Sequence, residues 1–175
     1  PTQEIAYTLK PGDTILLDLW ARRIDPVGIY YDITWCAFAG SKPPAKYVEI
    51  VRVVTEARDA AVAFVSRKLD AGTPVHGYEV DDACRKIVKE AGYGDYFLHR
   101  TGHSIGTSVH GNGANIDNLE TKDERLIVPG TCFSVEPGIY LAGSMAVRTE
   151  VDVYVTNAGK AEVLGAVQRE LVLLG

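Results

Sequence analysis

Three of the four histidines in this chain lie between His99 and His110, in the run His99-Arg100-Thr101-Gly102-His103-Ser104-Ile105-Gly106 and at His110 itself. Imidazole titrates near neutral pH and is a common metal ligand, so such a cluster among small residues points to metal binding or proton transfer. Four carboxylates stand apart in otherwise apolar segments. Asp18 has leucines on both sides, Asp32 follows two tyrosines, Glu136 follows Phe133 and Val135, and Glu150 sits among valines and threonine. An ionised carboxylate is rarely buried without a partner. One of them alone would read as a strand residue on a solvated face; four beside a histidine cluster read as a ligand set. Carboxylate oxygens with an imidazole suit Mn(II), Co(II), Fe(II) or Zn(II). Five ligands exceed what one tetrahedral zinc uses. Two ions sharing bridging carboxylates, roughly 3.5–4 Å apart, would use them all.

Elements must bring these residues together across the chain. After a polar start, residues 1–12, that ends in the turn signal Lys10-Pro11-Gly12-Asp13, Thr14 to Trp20 reads as a strand containing Asp18. Charges and Pro26 make 21–27 a hairpin loop, and Gly28 to Ala39 a second strand containing Asp32. From Ala45 to about Ala71, Val48, Val51, Val54, Ala57, Ala61, Phe64, Val65 and Leu69 recur at helical intervals, ending at Gly72-Thr73-Pro74. A second helix is expected from about Glu79 to Glu90, with Asp81 and Asp82 in its first turn and Gly92 behind it. His76, just before it, reads as a surface or capping residue. Ala91 to Phe97 is a turn leading into the histidines. Residues 111–130 are rich in Gly, Asn and charge, and read as a long surface loop over the site, with 111–127 expected to cover the pocket entrance and to be more mobile than the strands. Thr131 to Tyr140 is a third strand carrying Glu136, and Ala146 to Thr156 a fourth carrying Glu150 and Arg148. Asn157 to Lys160 is a turn, and short strands finish the chain. The class expected is α+β, with a curved antiparallel sheet.

The chain has 175 residues, enough for one domain with a sizeable core, 46% hydrophobic and 23% charged residues, as in soluble globular proteins. Net charge is −5 and no basic block stands out, so nucleic acid is not an expected partner. No stretch is long and apolar enough to span a bilayer, so no membrane partner is expected. No signal peptide is read at this start, which opens on Pro1. Cys36, Cys84 and Cys132 read as buried thiols of a reducing, cytoplasmic setting rather than a disulfide framework.

The ordered motifs LLDLW, YYDITW, HRTGHSIG, VHG, SVEPGIY and VRTEVDVYV resemble the catalytic domain of the pita-bread metallopeptidases, most closely the aminopeptidase P and prolidase branch. The resemblance covers nearly the whole chain. It implies the pita-bread fold, a curved antiparallel sheet with helices on its outer face. It also implies hydrolysis of peptides with proline near the N-terminus, by an Xaa-Pro aminopeptidase or an Xaa-Pro dipeptidase. Two divalent ions are implied, Mn(II) first, with Co(II), Fe(II) or Zn(II) as alternatives. Asp18 would bind one metal and Asp32 bridge both; His103 and Glu136 would complete the other, and Glu150 would be the second bridge. Glu136 would also act as general base, with His99 and His110 lining the pocket and stabilising the tetrahedral intermediate. Arg148 would sit beside the ligands. A homodimer is compatible with the resemblance.

Four features depart from the family pattern. Arg22 to Val27 looks like an insertion that lengthens the first hairpin. Trp35 stands where relatives commonly have Arg, and Gly111 where they commonly have Glu. The family's first α/β segment, with a further histidine, is shorter or absent. Residues 1–175 are therefore expected to be a catalytic domain forming the C-terminal part of a longer protein. Two other functions compete: a truncated or non-catalytic domain that binds metal or peptide without turnover, and a metal-dependent hydrolase of another amide or ester.

Overall fold

A computed structural model describes residues 8–175; the first part of the polar start, 1–7, lies outside the described residues. The elements run β1 (Thr14–Ala21), β2 (Tyr31–Phe38), α1 (Ala45–Asp70), α2 (Gly77–Glu90), a 3-10 turn at Gly94–Tyr96, β3 (Ser104–Ile105), β4 (Cys132–Val135), β5 (Gly138–Leu141), β6 (Met145–Arg148), β7 (Val151–Val155), β8 (Ala161–Leu164) and β9 (Val172–Leu173). The α+β class is as expected. The strands form three hydrogen-bonded groups, β1-β2-β9, β3-β4-β7-β8 and β5-β6. All pairings are antiparallel except β2 with β9.

The first hairpin keeps its register despite the Arg22–Val27 insertion. Asp18 pairs with Thr34 and Trp20 with Asp32. Paired residues and residues two apart share a face, so Asp18 and Asp32 are diagonal neighbours on one face. Along β2 the buried positions are Asp32, Thr34, Cys36 and Phe38. Asp32 therefore points toward the protein interior from β2, whose other face is half-buried, while Asp18 shares that face from β1 at its exposed rim.

The expected third and fourth strands are each broken in two. Pro137 has no N–H to give a ladder, and the chain leaves β4 for β5 at Glu136-Pro137. The partner strand breaks opposite, at Thr149-Glu150, between β6 and β7. Val135 pairs with Val151 before the break and Gly138 with Arg148 after it. One register runs through both pairs, so Glu136 and Glu150 stand opposite each other where the ladder opens. The backbone N–H of Glu150 donates instead to Thr34 O (3.0 Å), and that of Glu136 to Thr101 O (2.7 Å).

Helix α1 buries Tyr47, Ile50, Val51, Val54, Ala57, Ala61 and Val65 against the strands and α2. Arg58 falls within the same stripe and is fully buried, donating from Nη1 to Gln168 O (3.2 Å). The Gln168 amide in turn pairs both ways with the Cys36 backbone, at 2.8 and 2.6 Å. Helix α2 starts two residues earlier than expected. His76 is its N-cap in a reciprocal capping box with Glu79, which stabilises a helix start by satisfying free N–H groups.

The 111–130 segment is not an unpacked cover. Ala114, Ile116, Asp117, Asp123 and Ile127 are buried, and bridges join Ile116 to Gly102 and Leu126 to His76. Asp117 accepts the N–H groups of Leu119, Glu120 and Thr121, so its carboxylate takes over the role of a backbone ladder. Gly111 is required here: its N–H donates to Ser104 O (2.6 Å), and an added Cβ would lie 2.9 Å from Ser104 Oγ.

Candidate metal centre

The structure brings Asp18, Asp32, His99, His103, His110, Glu136, Arg148 and Glu150 around one pocket of about 390 Å³, with Trp20, Arg100, Val109 and Glu120. Three strand devices deliver the acidic residues: the β1/β2 face, the β4/β5 break and the β6/β7 break. His103 comes from the segment beside β4, where Ser134 N donates to His103 O (2.8 Å). Gly102 permits that approach, because a Cβ there would collide with the Ser134 carbonyl oxygen.

At the centre, Asp32, His103 and Glu150, all buried, offer ligand atoms within 4.8 Å of one another. His103 Nε2 lies 3.3 Å from Glu136 Oε1 and 3.7 Å from Asp32 Oδ2. Its Nδ1 is 3.1 Å from Ser104 O. That carbonyl accepts a hydrogen bond from Nδ1–H, which leaves the Nε2 lone pair facing the carboxylates, the orientation a ligating histidine needs. Ser134 Oγ ties two of these residues together, donating to Glu136 Oε1 (3.0 Å) and accepting from His103 N (3.0 Å).

Arg148 is the cation of the cluster. Its Nη2 is 2.5 Å from Asp18 Oδ2 and 3.9 Å from Glu150 Oε2, and its Nε is 3.7 Å from Glu136 Oε2. Thr34 Oγ1 donates to Glu150 Oε2 (2.6 Å) and accepts from Arg148 Nη2 (2.7 Å) and Nε (3.0 Å). Asp18 is the outermost member, its side chain 36% exposed, and it joins the group through Arg148.

One arginine does not neutralise four carboxylates. Burial pushes the Glu136 and Glu150 carboxyls well above the usual range, and Glu150 is raised further by Glu136. Burial and the Asp18 charge raise Asp32. Burial holds His103 down at about 4, so its ring is neutral at pH 7. Asp32 Oδ1 is buried with no hydrogen-bond partner. Crowded carboxylates, a neutral imidazole and an orphaned inward oxygen are the environment that divalent cations stabilise, and the donor set fits them.

The remaining histidines differ from one another. His99 Nδ1 is 2.7 Å from Arg100 O and Nε2 2.7 Å from Tyr140 Oη, so both ring nitrogens are engaged. His110 is exposed, its ring edge-on to His103 with centroids 4.3 Å apart. Sequence reading missed Thr34, Ser134 and Tyr140; the pattern of Thr34 two positions after Asp32 on the same strand face is the signal that could have found the first. It also missed Asp81 and Arg85. Asp81 accepts Arg85 Nε and Nη2 (both 3.0 Å), Thr101 N (2.9 Å), Thr101 Oγ1 (2.5 Å) and Asn118 N (3.2 Å). Arg85 also donates to Phe97 O (3.1 Å) and His99 O (2.9 Å). This buried pair pins the histidine segment to α2.

Fold and site define a protein of mixed α+β architecture with a buried, carboxylate-rich group able to hold metal. Residues 1–157 match the profile of Metallopeptidase family M24, and the chain belongs to that family. It is 35% identical over 144 residues to the Xaa-Pro dipeptidase of Lactobacillus delbrueckii subsp. lactis, covering 82% of this chain and 35% of the relative. It is 34% identical over 166 residues to the Xaa-Pro dipeptidase of Pyrococcus furiosus, covering 94% and 43%. The dipeptidase of Pyrococcus horikoshii OT3 superposes with a TM-score of 0.82 at 34% identity, over 96% of this chain and 43% of that one. The fold is therefore that of the pita-bread peptidases, and the chain spans less than half the length of these relatives. No helix among the described residues is long and apolar enough to cross a membrane.

Proposed function

We propose that residues 1–175 form the catalytic domain of a dinuclear-metal-dependent peptidase acting on proline-containing peptides, as an Xaa-Pro dipeptidase or aminopeptidase. The observation that carries this reading is the convergence of Asp32, His103 and Glu150 around a buried, unpartnered Asp32 oxygen, with Glu136 and Asp18 adjoining. The relatives named Xaa-Pro dipeptidase support the substrate class. In this reading Asp18, Asp32, His103, Glu136 and Glu150 hold two ions, Mn(II) first. When bound, such ions polarise the scissile carbonyl and lower the pKa of water to near neutrality.

The chain's own residues do the rest. Glu136 accepts a proton from the attacking water and passes it to the leaving nitrogen. Ser134 Oγ fixes its Oε1. His110, exposed beside His103, is placed to donate to the oxyanion that develops. His99 is held by Tyr140 and shapes the pocket wall. Arg148 keeps Asp18, Glu136 and Glu150 from repelling one another. An Xaa-Pro bond has no amide hydrogen, so recognition falls on the carbonyl side and on the ring, for which Trp20 and Val109 supply apolar lining. The buried free thiols Cys36, Cys84 and Cys132 suit a reducing, cytoplasmic setting.

The test is metal analysis of the purified chain with a panel of Xaa-Pro and Xaa-Pro-Yaa peptides. Metal-dependent release of the N-terminal residue supports the reading. Metal bound without turnover of any peptide would establish the non-catalytic alternative.

A further inference from the structure

Strand β2 is held along one edge by side chains rather than by a ladder. β1 pairs with its whole length, whereas β9, on the other side, reaches only Ala37 and Phe38. β2 and β7 belong to different hydrogen-bonded groups, and the seam between them is closed piecemeal. The Asp32 N–H donates to Asp152 Oδ2 (2.9 Å) and the Glu150 N–H to Thr34 O (3.0 Å), while the Gln168 amide brackets the Cys36 main chain. Asp32 stands on one side of this seam and Glu150 on the other, and with His103 they offer ligand atoms within 4.8 Å of one another. The width of the seam therefore sets the separation of the two carboxylates.

Asp152 closes the seam at the Asp32 end. It is fully buried on β7, where its main chain lies between those of Ser134 and Leu164, so only its side chain crosses to β2. Residues two apart on a strand share a face, which makes Ser134 and Asp152 the rung behind Glu136 and Glu150. The two members of that rung hold different parts of the centre. Ser134 Oγ fixes Glu136 Oε1 and the His103 N–H; Asp152 fixes the Asp32 main chain. Asp152 Oδ1 is buried with no hydrogen-bond partner. Among the described residues this carboxylate spends its bonding on the Asp32 N–H alone.

Resting on the metal-centre reading above, we propose that Asp152 is a positioning residue: by tying the Asp32 main chain to β7, it holds Asp32 across from Glu150 at the separation that ions shared by the two carboxylates need. It acts through Asp32 and is itself no ligand.

The experiment titrates Mn(II) calorimetrically into the full chain stripped of metal by chelation, and unfolds the same metal-free samples in urea. Wild type, Asp152→Val, Asp152→Asn and Gln168→Met are compared. Val removes the acceptor yet suits a buried strand, and Asn keeps the acceptor. Met opens the seam at Cys36 instead, four positions and roughly 13 Å along β2 from Asp32. Losing a hydrogen bond that orients a ligand should cost Asp152→Val about 10- to 100-fold in ion affinity, and Asp152→Asn should restore most of it. Gln168→Met should lower the unfolding midpoint and leave ion affinity near that of wild type. Unchanged affinity in Asp152→Val would overturn the assignment. So would an equal loss in Asp152→Asn, which gives the effect to charge, or in Gln168→Met, which gives it to general loosening of the seam. If Asp152→Val does not fold, Asp152→Ser, whose hydroxyl is one bond shorter than the carboxylate, carries the same expectation. Amide hydrogen exchange of the metal-free chain separates this inference from the reading it rests on. Protection of the Asp32 N–H should be lost in Asp152→Val and kept in Asp152→Asn. That result with no ion bound by wild type upholds Asp152 and defeats the metal centre. Ion binding by wild type, with Asp32 protection and affinity the same in every variant, does the reverse.

Discussion

Replacing Asp81 with alanine should destabilise the protein by about 4 kcal/mol. Asp81 is fully buried and Arg85 is 6% exposed. Removing one partner of a buried ion pair costs roughly 3–5 kcal/mol, because the other charge is left unpaired. The Thr101 N–H loses its acceptor as well, adding roughly 1–2 kcal/mol. Arg85 recovers part of this through Phe97 O, His99 O and the Phe97 ring, whose centroid is 4.1 Å from its Cζ. Against a total stability of about 5–15 kcal/mol, the loss is large. Asp81→Asn keeps an acceptor for Thr101 and should cost about half as much. The double variant Asp81→Leu/Arg85→Met removes both charges, and apolar replacement of a buried pair is often close to neutral; it should be more stable than Asp81→Ala by about 2 kcal/mol. Urea unfolding with linear extrapolation gives these differences, provided the slope is unchanged. A loss below about 1 kcal/mol for Asp81→Ala would refute the reasoning, since the pair would then be solvated.

Thr34→Val deletes the hydroxyl between Glu150 and Arg148 without changing volume much, and metal affinity should fall about 10- to 100-fold, read by competition with a chelating dye. Glu136→Gln keeps shape and one oxygen ligand but cannot take a proton, so kcat on an Xaa-Pro dipeptide should fall at least about 10²–10⁴-fold; near-normal turnover would refute the assigned role. His110→Ala should leave metal content intact and lower kcat by roughly 10²–10³; loss of bound metal instead would make His110 a ligand. Burial works against ionisation of Asp123, yet Arg125 and the N–H groups of Asn115 and Arg125 hold its carboxyl below the ordinary range. Its folded pKa is lower than its unfolded value of about 3.9, so its contribution is full above that pH and vanishes as pH falls through the folded value. The stability gap between wild type and Asp123→Asn, about 1–2 kcal/mol, should hold from pH 5 to 7 and shrink below pH 4 in urea titrations.

The proposed ligand set was legible because polar residues in apolar strands must have a reason to be there. Asp18, Asp32, Glu136 and Glu150 stood out on that ground, and the histidine cluster through its small neighbours; His103 was set apart from His99 and His110 only by the resemblance to the family. The breaks in the third and fourth strands were legible only on one side. Pro137 marks the first, whereas Thr149-Glu150 breaks only because its partner strand does, and nothing local records it. The packing of 111–130 was hidden for a similar reason: Asp117 and Asp123 replace a ladder with side-chain acceptors, which composition reads as loop polarity. Asp81 looked like a dipole-complementing residue in a first turn. Its real position was visible in periodicity, since Asp81 and Arg85 lie beside Val80, Cys84 and Val88 on the buried face of α2. Arg58 within the α1 stripe carries the same signal.

The central claim is that this pocket holds two cations on the chain's own side chains. Calorimetric titration of Mn(II) into the chelator-stripped chain tests it most directly, with Glu150→Gln and Asp32→Asn titrated alongside. Two ions per chain for wild type, and a loss of stoichiometry or at least about 10-fold in affinity for each variant, is the result expected of bridging ligands. No binding by wild type, or binding unaltered by either substitution, would contradict the account.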